Sequence, residues 1–263
     1  MSRRPVEGMS SSGSAAADPR QYRPPPHALR DRVILVTGAG DGIGRAVALA
    51  LAAHSATVVL SGRTVRKLEM TYDDILAQGS PQPSIAPLDL DKALAGDYDA
   101  LADGIARSYG RLDGLLHNAG LLGQLSPIEH YDVPTWVRVM HVNVNAAFAL
   151  TQVCVPLLKK SDDASVVFTS SNLGRRGRAL WGAYAVSKFA IEGLSQVLAD
   201  ELEPAGVRVN CINPGRARTS MRLQAYPAED RSVLPEPGAL VGPYLFLLGP
   251  ASRGITGQSF DCQ

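Results

Sequence analysis

Cysteine is scarce in this 263-residue chain. Cys154, Cys211 and Cys262 are odd in number, far apart and unaccompanied by a secretory leader, so neither a disulfide framework nor a cysteine zinc site is expected, and a reducing, cytoplasmic setting is. The five histidines form no HxxxH or HExxH pattern, which leaves metal chemistry without candidate ligands. An excess of one charge is missing as well. The 26 basic side chains are balanced by 25 acidic ones and scattered along the chain, so no nucleic-acid partner is expected. No apolar run approaches the roughly 20 residues of a membrane span. What the chain does have is 45% hydrophobic residues and the length for one large α/β domain.

Residues 1–30, MSRRPVEGMSSSGSAAADPRQYRPPPHALR, are rich in Ser, Pro, Gly and Arg without periodicity and predict a disordered, mobile tail. Arg3, Arg4, Arg20 and Arg23 are not matched by the apolar helix face of a targeting segment, and Met9 is an alternative start. From Arg32 onward, the short apolar runs VILVTG, TVVLSG, PSIAPLDL, DGLLHNAG, SVVFTSS and VRVNCINPG alternate with helical patterns. Strands that are apolar on both faces and separated by helices imply a parallel sheet covered on each side. The expectation is a single doubly wound, Rossmann-like α/β domain over 31–263, its sheet of about seven strands.

VTGAGDGIGRAVALALAA places Gly38, Gly42 and Gly44 between the first strand and the first helix. Glycines there permit a tight turn and let backbone N–H groups and the helix dipole approach a pyrophosphate; a plain structural turn is the alternative. The second strand ends in LSGRT, where an NAD-binding fold would carry an acid for the ribose 2′-hydroxyl. Gly62 and Arg63 stand there instead, with Arg66 and Lys67 close by, which favours a 2′-phosphate unless the arginine merely solvates a helix start. In AYAVSKFA, Tyr184 and Lys188 are four apart on one helix face and can share a ligand; the other reading is a core aromatic beside a surface lysine.

Taken together, these motifs resemble the short-chain dehydrogenase/reductase family from about Asp31 onward. The glycine loop matches Thr37 to Gly44, including Gly40 and Ile43, and the adenine-contacting acid matches Asp89, beside Leu90. The NAG turn is Asn118, Ala119 and Gly120. The helix asparagine matches Asn143, with Asn145 competing, and the serine 13 residues before Tyr184 is Ser171, with Ser170 its neighbour. Pro214, Gly215 and Thr219 match the segment that meets the nicotinamide carboxamide. The stretches LHNAGLLG, VNVNAAF and WGAYAVSKFA are similar to the YciK-like bacterial branch, which brings no substrate with it.

The resemblance implies a dehydrogenase or reductase using NADP(H), with NAD(H) second, on a small carbonyl or alcohol, assembled as a homodimer or homotetramer. It makes Tyr184 the acid and base, Lys188 a ligand of the nicotinamide ribose, Ser171 the holder of the substrate oxygen, and Asn143 part of a proton relay; the Lys188 ammonium, together with the positively charged oxidised nicotinamide, is expected to lower the phenol's pKa. Three departures stand out: Asp41 inside the glycine loop where many NADP-using members carry a cation, an end GQSFDCQ without the usual DGG, and a short, Pro- and charge-rich segment from Ser220 to Gly238. Arg175, Arg176 and Arg178 border the expected substrate cleft, either recognising an acidic substrate or solvating a loop; Trp181 either lines that cleft or anchors the loop. A catalytically silent dinucleotide-sensing or scaffold protein, and an epimerase or dehydratase, stay open as rival readings.

Overall fold

The computed structural model describes residues 18–263. The six apolar runs become β1 (Val33–Thr37), β2 (Thr57–Gly62), β3 (Ser84–Pro87), β4 (Gly114–His117), β5 (Ser165–Thr169) and β6 (Arg208–Asn213), and GQSFDCQ supplies β7 (Ser259–Asp261); among the described residues these seven parallel strands run in the order β3-β2-β1-β4-β5-β6-β7. Alternation along β1 decides which face each residue fills. Leu35 joins a core with α3 (Ala95–Tyr109), α5 (Ala146–Leu158) and α6 (Gly182–Leu202). Ile34 and Val36 point the other way, into a core with α1 (Gly42–Ala53), α2 (Val65–Ala77) and α8 (Val241–Leu248). The chain runs outward from β1 to β3 and then returns to β4 on the far side of β1, which opens a crevice at the strands' carboxyl ends.

At the opposite end of the sheet, a buried charge network ties four strands together. Arg32 donates to Asp163 Oδ2 at 2.8 Å and to the Asp113 carbonyl at 3.0 Å, while Arg208 donates to Asp163 Oδ1 at 3.1 Å. Asp113 accepts from Val33 N–H at 2.8 Å and from the Ser161 hydroxyl at 2.6 Å. Arg32 and Asp113 immediately precede β1 and β4, Val33 and Arg208 begin β1 and β6, and Ser161 and Asp163 lie in the turn leading into β5.

Two expectations change. The described part of the expected tail is docked: Tyr22 sets its ring edge-on against Phe246 at 5.3 Å, and Leu29 is fully buried with its N–H on the His54 carbonyl at 3.0 Å. Two apolar side chains that find a site on α8 and α1 are enough to dock a Pro-rich segment with no periodicity of its own. Residues 1–17, including Arg3, Arg4 and Met9, lie outside the described residues. The second change concerns α4 (Val133–Met140), which continues through a π turn at His141–Asn145 into α5. The joined helix, Val133–Leu158, is long and apolar enough to cross a membrane by length and composition. Its apolar residues Leu150, Cys154, Leu157 and Leu158 are buried against the sheet and α3, which accounts for that composition as a core helix.

Candidate active site

The crevice is floored by the glycine turn. Gly38 has φ +68°, and a Cβ on Gly44 would stand 2.3 Å from the Gly38 carbonyl oxygen, so only hydrogen at that position lets α1 enter this close to β1. The Thr37 hydroxyl accepts from the N–H groups of Asn118 and Ala119 at 3.0 and 3.1 Å, which stitches the first turn to the NAG turn. Two neighbouring hollows follow the strand ends. One, of ≈ 260 Å³, is lined by Gly40, Gly62, Arg63, Thr64, Lys67, Asp89 and Leu90. The other, of ≈ 670 Å³, contains Gly42, Ile43, Asn118, Ala119 and Gly120 on one side and Pro214, Gly215 and Thr219 on the other. A glycine cradle, a helix N-terminus and cations at the distal end fit a dinucleotide lying across the switch point.

Asp41, the anion inside the glycine loop, accepts from Gly42 N–H at 2.7 Å and pairs with Lys67 Nζ at 2.5 Å. The Lys67 hydrogen bond is the main reason its carboxyl is held below the usual range. Thr219 caps α7 (Ser220–Ala225), its hydroxyl accepting from Arg222 N–H at 3.2 Å while the residue lines the cleft.

Tyr184, Ser171 and Lys188 meet in the larger hollow. Lys188 is only 5% exposed, so it is not a surface charge; its Nζ donates to the Thr169 carbonyl at 2.7 Å and stands 5.5 Å from the Tyr184 ring centre. The expected lowering of the phenol's pKa is absent in the site without cofactor. Burial pushes Tyr184 up to about 12, opposed only by a hydrogen bond with Ser171. Burial also brings Lys188 down to about 8, with Cys211 and Glu192 pulling the other way. Desolvation beats the pairing because Lys188 is buried, Tyr184 is half-buried, and the lysine faces the ring instead of the hydroxyl.

Ser171 Oγ accepts from Leu173 N–H at 3.2 Å, capping the short turn that follows β5, whereas Ser170 is buried and its N–H donates to the Ile212 carbonyl at 2.7 Å. Asn143 is buried, with its side-chain amide hydrogen-bonded inside the protein. Its Nδ2 uses both protons, on the Leu121 carbonyl at 2.9 Å and Ser187 Oγ at 3.0 Å, and its Oδ1 accepts from Leu121 N–H at 2.7 Å. The side chain is therefore a clamp on the loop after Gly120, while Asn145 is exposed. Three participants had no signal in the sequence. Ser187 and the Thr169 carbonyl hold others in place through contacts 44 and 19 residues distant. Gln263 Nε2 donates to the carbonyls of both Pro214 and Arg216 at 2.7 Å and fixes the loop opposite Tyr184.

The outer wall is apolar and aromatic. Trp181 is 8% exposed, packs with Leu122, Leu173 and Ala185, and also lines the cleft, so it fills both of its expected parts. Arg175 turns away to Asp261 at 3.0 Å and Ser259 at 2.6 Å, a structural role that ties the loop to β7. Arg176 is exposed outside the cleft, and Arg178 lines it.

His117, at the end of β4, stacks on Phe168 at 4.7 Å and bonds Thr151 Oγ1 through Nε2 at 2.8 Å. Burial pushes its pKa down to about 3. The unfolded chain then takes up a proton at about pH 6.5 that the folded chain refuses, so this contribution to stability is complete above 6.5 and shrinks as pH falls toward 3. Urea unfolding at pH 6.5 and 4.5 should show His117→Gln losing about 2 to 3 kcal/mol less than wild type over that interval. Equal losses would mean that the imidazole does not carry the acid sensitivity.

Residues 32–230 match the short chain dehydrogenase family, and the chain belongs to that family. It is an oxidoreductase of the Rossmann-like, seven-stranded kind. Among its relatives, the uncharacterized oxidoreductase YciK of Escherichia coli (strain K12) is 52% identical over 242 residues, covering 92% of this chain and 96% of that protein. A short chain dehydrogenase of Escherichia coli CFT073, complexed with NADPH, superposes with a TM-score of 0.88 at 52% identity over 91% of this chain and 100% of its own. One from Shigella flexneri 2a, complexed with NADP, gives 0.89 at 51% identity over the same shares.

Proposed function

We propose that this oxidoreductase interconverts a carbonyl and an alcohol on a small molecule with NADP(H), Tyr184 acting as general acid in one direction and base in the other. The observation that carries the reading is the convergence of Tyr184, Ser171 and Lys188 beside the glycine cradle in one ≈ 670 Å³ cleft. NADPH, when bound, supplies a hydride to the carbonyl carbon. Ser171 holds the carbonyl oxygen by donating its hydroxyl proton in a hydrogen bond, and Tyr184 transfers its own proton to that oxygen as negative charge develops there. Burial keeps the phenol protonated and ready to act as acid. The phenolate left behind is then stabilised by the nearby Lys188 ammonium, whose Nζ stands 5.5 Å from the ring centre. In the oxidative direction the same groups run in reverse. Asn143 serves by clamping Leu121 and so holding Gly120 against the cofactor groove.

NADP(H) is favoured over NAD(H) because Arg63 immediately follows β2, with Thr64 and Lys67 around the same hollow, and because the NADP and NADPH complexes named above belong to chains about half identical to this one. Lys67 offsets the unfavourable Asp41. Arg63→Ala should weaken NADPH binding about tenfold or more, the value of one charge-assisted contact, and leave NADH nearly unchanged in a fluorescence titration. Equal loss for both would remove the 2′-phosphate from this hollow. The reading includes a homodimer or homotetramer, supported by the apolar side chains Phe148, Val186, Phe189 and Val197 exposed along α5 and α6. A cytoplasmic setting is supported by three free, buried cysteines.

A further inference from the structure

Resting on that proposed function, we infer that the substrate is an apolar or aromatic carbonyl compound carrying an anionic group, a carboxylate or a phosphate, which Arg178 receives at the rim of the cleft. The cleft beyond Tyr184 is walled by Leu122, Leu173, Trp181, Met221 and Tyr226, a surface that takes a flat or aliphatic body and offers few hydrogen bonds to a polar one. Arg222 is already neutralised: it forms a two-pronged pair with Glu229 and lies over the Tyr226 ring at 3.9 Å. Arg175 is committed to Asp261. Arg178 has no carboxylate partner among the described residues; its one hydrogen bond is donated from Nη1 to the Tyr226 hydroxyl at 3.1 Å, and its other donors are free.

The balance of charge points the same way. The only carboxylate among the residues lining this cleft is Asp41, at the cofactor end and paired with Lys67, whereas the basic residues lining it include Arg178, Arg216 and Arg222, of which Arg222 is paired with Glu229. Such a wall raises the local concentration of anions and disfavours cations. A guanidinium fork suits a carboxylate or phosphate through paired N–H donors. Tyr226 positions that fork: its ring is held between Arg222 and Trp181, the latter at 5.9 Å, and its hydroxyl steadies Arg178.

The test uses the full chain saturated with NADP⁺ and three matched probes: 4-acetylbenzoate, its methyl ester, and 4-acetylphenyl phosphate. Dissociation constants by calorimetry should show at least one anionic probe bound about tenfold more tightly than the ester, the size of one exposed charge-assisted contact. The stronger of the two anionic probes tells carboxylate from phosphate. Arg178→Gln, a change at an exposed position, should erase the preference and leave the thermal midpoint in place. The inference is overturned if the ester binds as well as both anions, if no probe binds at millimolar concentration, or if the preference survives Arg178→Gln. It is also overturned if the variant weakens acid and ester equally, which would make the Arg178–Tyr226 contact only a latch. NADP⁺ binding is measured on the same samples. Normal NADP⁺ affinity with no anion preference sinks this inference alone, whereas failure to bind NADP⁺ sinks the proposed function and this inference with it.

Discussion

Tyr184→Phe is expected to lower turnover by at least about 10²-fold while the protein folds and binds NADP(H) as before, since a general acid contributes that much and the substitution removes only a hydroxyl. The ring, which packs beside Trp181 at 5.9 Å and faces Lys188, is kept. Burial pushes the Tyr184 phenol up to about 12, so at neutral pH the wild-type group is a proton donor in the free site. Alcohol oxidation needs the phenolate, and its rate should therefore rise with pH. An apparent pKa well below 12 in the complex with oxidised cofactor would show Lys188 and the cofactor's positive ring acting together on the phenol. Lys188→Met should be similarly damaging and should also weaken cofactor binding. The double variant should be little worse than either single one, because both residues serve one proton transfer. The measurement is steady-state nicotinamide absorbance on an active substrate, with cofactor affinity and circular dichroism alongside. Retention of more than a tenth of the wild-type rate in Tyr184→Phe would return the tyrosine to the core-aromatic reading.

Asp163→Ala should destabilise the fold by about 3 to 5 kcal/mol, the cost of leaving buried charges without their counter-ion. Asp163 is 7% exposed and receives both Arg32 and Arg208, whose side chains are 11% and 6% exposed. The Nε atoms of both arginines already lack partners, and removal of the carboxylate would leave two like charges facing each other beneath β1, β5 and β6. Arg253, 69% exposed and 3.4 Å from the same carboxylate, is a third cation and brings no counter-charge of its own. The site lies at the opposite end of the strands, so activity per folded molecule should be preserved. Urea unfolding at neutral pH checks the first statement, and a change below 1 kcal/mol would mean that the network contributes little beyond geometry.

The strands were legible because a parallel sheet covered on both faces needs apolar runs such as VILVT and SVVFT, which no surface element carries. The glycine turn was legible because its conformation depends on residues adjacent in sequence: Gly38 and Gly44 meet within seven positions. Tyr184 and Lys188 were legible for the same reason, one helical turn apart. What escaped depends on distance in sequence. Asn143 has its amide held by Leu121 and Ser187, which no local pattern reveals. The docking of Tyr22 and Leu29 was hidden because two apolar residues in a Pro-rich stretch have no periodicity until α8 and α1 provide a surface. The directions of the Tyr184 and Lys188 pKa shifts in the site without cofactor were not legible because spacing sets proximity and not burial, and burial is the leading cause for both groups.

A panel of aldehydes and ketones, followed by nicotinamide absorbance with NADPH and separately with NADH, tests the proposed oxidoreductase chemistry most directly. It should yield at least one carbonyl compound whose loss matches NADPH consumption one for one, faster than with NADH and abolished by Tyr184→Phe. Tight NADPH binding with no carbonyl reduced across neutral, anionic and aromatic members would contradict it and leave a dinucleotide-binding protein that performs no hydride transfer.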